Sequence, residues 1–197
     1  APLAEEMGRV LWASEVFNCA APDTGNMEVL AKYGNEEQKK QWLEPLLAGD
    51  IRSAFSMTEP DVASSDATNI ETSMIRKGDK YIINGKKFYS SGACRKQCKI
   101  SIVMGKTDPE ADVYHQQSMV LVPIDAPGVE IVRNVPVYGH DNDQGTHSYI
   151  RYQDVRIPKE NRLGERGGGF IVAQTRLGGG RIHHAMRTVG LVKYAFD

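Results

Sequence analysis

The stretch FSMTEPDVASSDATNI, Phe55 to Ile70, sets three carboxylates (Glu59, Asp61, Asp66) beside three hydroxyls (Thr58, Ser64, Ser65) and a proline. Such a set can hold a cation, do acid–base chemistry, or shape its backbone around a ligand. A glycosidase-type pair needs two carboxyls facing each other across a substrate, and carboxylates this close in sequence do not show that. A calcium loop needs alternating oxygen ligands and a distant glutamate, which the run lacks. Two other readings are stronger than a metal or acid–base role. Pro60-Asp61 starts a turn whose Ser and Asp side chains bond nearby amides. Alternatively, the strand SAFSMT runs into a loop that presents backbone N–H groups to a ligand.

Two further stretches carry possible chemistry. In KKFYSSGA, Lys86 to Ala93, two aromatics precede two hydroxyls and a glycine. They make either a strand end with a turn, or an aromatic wall against a flat ring with Ser90 or Ser91 bonding a ring heteroatom. In RLGGGRIHHAMR, Arg176 to Arg187, three glycines interrupt a helical pattern. Each costs about 1 kcal/mol against alanine, which a helix tolerates where something approaches its backbone closely. An extended acyl chain or a nucleotide would fit there, and Arg181 could bind a phosphate. His183 and His184 point about 100° apart on a helix and cannot chelate one metal together; they read as surface or interface histidines. His115, His140 and His147 have no ligand-like spacing, and Cys94-x-x-x-Cys98 is not the C-x-x-C of zinc or redox sites. No metal site is assigned. Nucleophile-elbow, P-loop and Rossmann patterns are absent.

These stretches need elements to position them. APLAEEMGRVLWASEVF spaces Leu3, Met7, Val10, Leu11, Ser14 and Phe17 as a helix would. AAPDTGN (20–26) reads as a break. MEVLAKYG resumes helix and ends at Gly34. Asn35 then caps NEEQKKQWLEPLLAGD, whose stripe is Trp42, Leu43, Leu46 and Leu47, with Pro45 expected to disturb its last turn. From Ile51 the period becomes two. SAFSMTE, TSMIRKGDKYIINGKKFYS, KISIVMGK, SMVLVPI, GVEIVRNV and THSYIRYQDVRIP read as strands. Turn signals separate them at 77–79, Asn84-Gly85, Pro127-Gly128 and the Asp/Asn/Gly cluster 139–145. Asn-Gly suits a hairpin. After about residue 160 a helical stripe returns through Phe170, Ala173, Leu177, Ile182, Met186, Val189, Leu191 and Val192. The expected fold class is α+β: a helical segment (1–50), an antiparallel β-barrel or sandwich domain (51–160), and the truncated start (161–197) of a long helix in a C-terminal bundle.

The 197 residues are 41% hydrophobic and 25% charged, ordinary for a globular chain. Twenty-four basic against 25 acidic residues give a net charge of −1, without the basic excess of a nucleic-acid binder. No apolar run approaches the roughly 18 residues of a membrane span. The N-terminus has acids where a signal peptide has bases, and it reads as mid-helix, as in a fragment. Three cysteines do not make a disulfide framework, which suggests a reducing compartment.

MTEPDVASSD and INGKKFYSSG, with PLAEEMGR and YGNEEQKKQWLEPLLAGD before them and VRIPKENRLGERGGGF and RLGGGRIHHAMRTVG after them, occur in the order found in the acyl-CoA dehydrogenase family, which the chain resembles over nearly its whole length. The usual forms of the first two are T-E-P-x-x-G-S-D and I-N-G-x-K-x-W-I-T-N-G. The first is here one residue longer and lacks the glycine, like a subgroup with T-E-P-D-x-A-S-S-D; the second is one residue shorter. The resemblance implies FAD, acyl-CoA as substrate, α,β-dehydrogenation, an electron-transfer flavoprotein as acceptor, and a homodimer or homotetramer. It implies that Phe55, Met57 and Thr58 line the flavin, with Ser64 or Ser65 facing flavin and substrate. Phe88 and Tyr89, as a pair, stand for the ring-side tryptophan. Ser90, followed by Ser91, matches the hydroxyl reaching flavin N5. Arg181, with Gly178, Gly179 and Gly180 beside it, would bind the CoA part. Gly180 occupies the position where some members carry the catalytic glutamate, so the base is expected beyond Asp197 and this chain alone is expected to be inactive. The compartment implied is the cytoplasm in a bacterium, or the mitochondrion or peroxisome in a eukaryote. A flavin oxidase of the same fold using O2 and a non-catalytic flavin- or CoA-binding module are the alternatives.

Overall fold

The hydrophobic period changes near Ile51, and the secondary structure changes with it. A computed structural model describes residues 2–10, 12–137 and 147–197. Leu11, His140 and the turn cluster 139–145 lie outside the described residues.

The first helices are α1 (Pro2–Gly8), α2 (Ala13–Val16) and α3 (Asp23–Tyr33). The break expected over 20–26 is shorter: α3 already begins at Asp23, directly after Pro22. Asn35 caps α4 (Glu36–Gln38) with a reciprocal box. Its Oδ1 accepts from the Gln38 amide at 2.8 Å, and its own amide donates to Gln38 Oε1 at 3.0 Å. A π-helical turn (Lys39–Leu43) leads into α5 (Glu44–Ala48). Pro45 does not break this run: the backbone stays helical from the π-helical turn through Leu43 and Glu44 into α5. Leu46 is buried and Trp42 and Leu43 pack against the core, but Leu47 is exposed.

Among the described residues eight strands follow: β1 (Arg52–Ser56), β2 (Ser73–Lys77), β3 (Lys80–Ser91), β4 (Cys98–Lys106), β5 (Gln117–Pro123), β6 (Val129–Asn134), β7 (His147–Pro158) and β8 (Arg162–Leu163). Their order is β6-β7-β3-β2-β4-β5-β8, with β1 paired to β4. The sheet is open and sandwich-like, not a closed barrel. It is antiparallel except where β1 and the start of β2 run parallel to β4. The β2–β3 hairpin turns at Gly78-Asp79, closed by the Lys77–Lys80 pair. Asn84-Gly85, expected to be the hairpin turn, lies inside β3. There a register shift opens opposite β7, and a Cβ on Gly85 would sit 2.4 Å from Thr72 Oγ1. Asn84 fills the bulge, accepting from the Asp154 amide at 2.8 Å.

β4 and β5 bury both faces. Ile100, Ile102, Met104, Met119 and Leu121 pack toward Val29, Leu30 and Leu46 of the helices. Val103, Val120 and Val122 pack the other way, against Tyr81, Ile83, Ile150 and Tyr152 of β3 and β7. The last element is α6 (Gly169–Phe196). The expected stripes on α1 and α6 are displaced. Leu3, Phe17, Ile182 and Val192 are exposed, while Ala4, Gly8, Val172, Ala173 and Gly190 are buried. α1 crosses α6 through glycines. A Cβ on Gly8 would come within 2.1 Å of the Arg187 carbonyl, and one on Gly190 within 1.9 Å of the Glu5 carbonyl. None of the described helices is long and apolar enough to cross a membrane.

Candidate functional site

The acidic loop proves mainly structural. Glu59 is buried, accepts from the amides of Glu71 (2.7 Å) and Thr72 (3.0 Å), and pairs with Lys87 Nζ at 2.8 Å. Lys87 is fully buried and also donates to the Met57 carbonyl at 2.8 Å. Burial alone would raise the Glu59 pKa, but the Lys87 ammonium and these hydrogen bonds hold it below its ordinary value. Burial pulls the Lys87 pKa down to about 8, with Glu59 opposing. Asp61 makes an exposed pair with Lys86 at 3.0 Å. Asp66 caps a 3-10 turn, accepting from the amide of Thr68 at 2.9 Å and its hydroxyl at 2.7 Å, which lowers its pKa. Ser64 Oγ closes the loop, accepting from the Glu59 amide at 2.8 Å and donating to its carbonyl at 3.0 Å. Ser64 is therefore the structural serine of the two, and Ser65 is exposed.

The strand leading into this loop lines a cleft of about 370 Å³, within the roughly 300–1,000 Å³ common for ligand sites. Phe55, Met57 and Thr58 form one side; Tyr89, Ser91 and His147 form another; Arg176 and Leu177 of α6 close it. Thr58 ties its strand to β3, its hydroxyl donating to the Phe88 carbonyl at 2.6 Å and its carbonyl accepting from the Phe88 amide at 2.9 Å.

A bulge in β3 decides which side chains face this cleft. The register with β7 shifts between Lys87 and Ser90, and Tyr89 adopts a left-handed backbone at φ +57°. Lys87 and Ser90 are thereby both buried, three residues apart. Ser90, expected to reach a ring nitrogen, instead joins a buried hydroxyl cluster. Its Oγ lies 3.0 Å from Ser56 Oγ, which is 2.9 Å from Ser101 Oγ and accepts from the Tyr152 hydroxyl at 3.2 Å. Ser91 lines the cleft, with its Oγ 2.7 Å from His147 Nδ1. The aromatic pair stays in edge-on contact, its ring centres 4.6 Å apart, but only one of the two reaches the cleft. Tyr89 lines the cleft, while Phe88 packs edge-on to Tyr149 with Arg133 over its ring. Of the nine residues expected around a ring ligand, five line the cleft: Phe55, Met57, Thr58, Tyr89 and Ser91. Ser64, Ser65, Phe88 and Ser90 do not.

A larger space of about 790 Å³ adjoins the cleft, sharing Ala21, Pro22, Arg176 and Leu177 with it. Gly179, Gly180 and Arg181 line it, as do His183 and His184. A Cβ on Gly179 would come within 3.0 and 3.2 Å of the Glu28 carboxylate oxygens, the movable end of an exposed side chain. A Cβ on Gly178 or Gly180 meets nothing within 4 Å. Their small size is not explained by the chain's own packing, and a side chain at Gly180 would enter the space. Arg181 is exposed at the rim, held by Gln174 Oε1 at 3.3 Å. Glu28 is the one carboxylate among the described residues lining the two spaces.

Sequence reasoning missed Arg176. Its Cζ sits 3.8 Å from the centre of the Phe55 ring, its Nε donates to Asn26 Oδ1 at 2.8 Å, and its Nη2 donates to the Pro22 carbonyl at 3.3 Å. Burial pulls its pKa down to about 10, so it is a cation at neutral pH. The missing signal is helical phase. The buried and half-buried stripe of Val172, Ala173, Arg176, Gly180, His183, Arg187 and Gly190 recurs in steps of three and four, while Arg181 lies off it and is exposed. Among the described residues, no group of three or more His, Cys, Asp and Glu could hold a metal ion.

Both domain models of one family match the chain. The acyl-CoA dehydrogenase N-terminal domain matches residues 1–50, and the middle domain matches residues 54–155. The chain is 59% identical over 199 residues to a Mycobacterium tuberculosis protein named probable acyl-CoA dehydrogenase FadE2, covering 99% of this chain and 48% of that protein. A solved Mycobacterium abscessus structure, described as a candidate acyl-CoA dehydrogenase, matches with 55% identity and a TM-score of 0.95, over 98% of this chain and 48% of the other. Glutaryl-coenzyme A dehydrogenase, solved in complex with glutaryl-CoA, matches at 28% identity and TM-score 0.84, over 98% and 47%. The chain thus spans about half the length of these relatives, and it belongs to the acyl-CoA dehydrogenase family.

Proposed function

We propose that the protein carrying this chain is an FAD-dependent dehydrogenase of acyl-CoA thioesters, oxidising the Cα–Cβ bond to a double bond. One observation carries the reading most strongly: the cleft lies directly beside the larger space, the two sharing wall residues at Ala21, Pro22, Arg176 and Leu177. A flat ring in the first and a long flexible ligand in the second would meet at that junction. Phe55, Met57 and Tyr89 supply flat or soft apolar walls for the isoalloxazine, and Ser91 a hydroxyl for a ring heteroatom. FAD, when bound, supplies the acceptor for the β-hydrogen as hydride. The α-proton goes to a general base. Gly180 has no side chain to do this, and the base belongs to the remainder of the protein. Gly180 and Arg181 leave room and a cation for the acyl-CoA at the helix. Electrons pass on to an electron-transfer flavoprotein, the whole protein assembles as a homodimer or homotetramer, and its place is fatty-acid oxidation in a reducing compartment.

The test is to purify the whole protein and record its visible spectrum, then add acyl-CoAs of graded chain length without oxygen. Bound flavin that bleaches with an acyl-CoA is expected. A protein that takes up no FAD would sink the proposal, and peroxide production without an electron-transfer partner would redirect it to an oxidase.

A further inference from the structure

Ser91 is the hydroxyl that the bulge in β3 turns to the cleft, and it does not stand alone. Ser91 and His147 are a cross-strand pair of β3 and β7, with Oγ and Nδ1 2.7 Å apart, and both line the cleft. The Tyr89 ring meets the imidazole edge-on at 5.8 Å and 71°, which restrains the ring plane of His147. Burial lowers the His147 pKa, so the imidazole is neutral at neutral pH.

We propose that His147 is a positioning residue whose Nδ1 fixes the Ser91 hydroxyl as the polar group the cleft presents to a ring nitrogen of a flat heteroaromatic ligand. The inference rests on the flavin reading above. A serine hydroxyl rotates freely between donor and acceptor directions. With Nδ1–H donating to Oγ, the hydroxyl proton is directed away from His147 and toward the ligand. With Nδ1 accepting, the Oγ lone pairs are left for a ligand N–H. Either tautomer orders the hydroxyl, and an aliphatic side chain at 147 orders neither. Ser90 cannot take over, because its hydroxyl is committed to the buried cluster around Ser56.

The experiment uses the whole flavin-loaded protein with the variants His147→Leu, His147→Asn, Ser91→Ala and the double variant His147→Leu/Ser91→Ala. The readouts are the visible absorption spectrum and reduction potential of the bound flavin, with turnover alongside. Asparagine places an amide near the Nδ1 position and can serve either hydrogen-bond sense. His147→Leu and Ser91→Ala are expected to shift spectrum and potential in the same direction, with turnover falling roughly tenfold, the scale of one hydrogen bond. The double variant adds no further shift, and His147→Asn recovers most of the loss. A flavin-loaded His147→Leu protein with the wild-type spectrum and potential overturns this inference alone, as do additive effects in the double variant. A wild type that binds no flavin overturns the flavin reading and this inference with it.

Discussion

The Arg176 guanidinium stacks on the Phe55 ring, its Cζ 3.8 Å from the ring centre, and so joins α6 to β1 at the wall shared by the two spaces. The contact couples the fold to the site, because the same side chain bonds Asn26 of α3 and the Pro22 carbonyl. A desolvated cation–π contact contributes up to about 2 kcal/mol, and a buried acceptor left without its donor costs about 1–3 kcal/mol.

Arg176→Met should therefore destabilise the protein by about 2–4 kcal/mol and weaken flavin retention. A double-mutant cycle of Arg176→Met with Phe55→Leu, read by thermal or chemical unfolding, should return a coupling of about 0.5–2 kcal/mol. Additive single effects would show that the two side chains are merely neighbours.

Lys87 and Glu59 form the other critical pair, and both are buried. Lys87→Met leaves the Glu59 carboxylate buried without its cation, a change worth about 3–5 kcal/mol. The double variant Lys87→Met/Glu59→Gln should recover much of that, since a neutral amide has less to desolvate. The pH dependence follows from Glu59, whose folded-state pKa lies below its ordinary 4.5. Its contribution is fully present above 4.5 and is lost as pH falls through the folded value. Denaturant melts from pH 7 to pH 3 should show a steeper acid loss in wild type than in Glu59→Gln.

Much of this architecture was legible in the sequence, and the failures have physical causes. The strands showed because Ile100 to Met104 and Met119 to Val122 are buried on both faces and read as apolar runs. Asn84-Gly85 misled because the same dipeptide serves a tight turn or a bulge, and only the proximity of Thr72 decides between them. Ser90 and Ser91 could not be ordered by alternation, because the left-handed Tyr89 resets the count within the strand. Arg181 stands at the larger space beside the glycines that drew attention to it, whereas Arg176 was passed over because its place on the stripe of Val172 and Ala173 shows only once the phase of α6 is known. The Gly8–Gly190 crossing joins segments 182 positions apart, and nothing local announces it.

That crossing gives a sharp contrast among the glycines. A methyl on Gly190 collides with the Glu5 carbonyl backbone, which has no flexible end to move aside. Gly190→Ala should cost at least about 1–3 kcal/mol, the usual range for overpacking, despite alanine's better helix propensity. Thermal unfolding of the whole protein checks it, and an unchanged or raised midpoint would mean that α1 does not dock against α6 as described.

Gly178 and Gly180 should behave in the opposite way, and differently from each other. Both lie inside α6 with open space where a Cβ would go. Alanine at either position should stabilise the helix by about 1 kcal/mol. If packing alone mattered, glycine at these positions would be a plain loss. Gly180, however, lines the larger space, and a bulky side chain there would occupy ligand volume. Gly180→Leu should keep or raise the unfolding midpoint while weakening acyl-CoA binding at least tenfold. Gly178→Leu should leave binding within a few-fold of wild type, because it does not line the space. Titrations of an acyl-CoA into the flavin-loaded variants, followed by the flavin spectrum, separate the two. Equal and unchanged affinities would show that the ligand runs elsewhere than along the glycine face of α6.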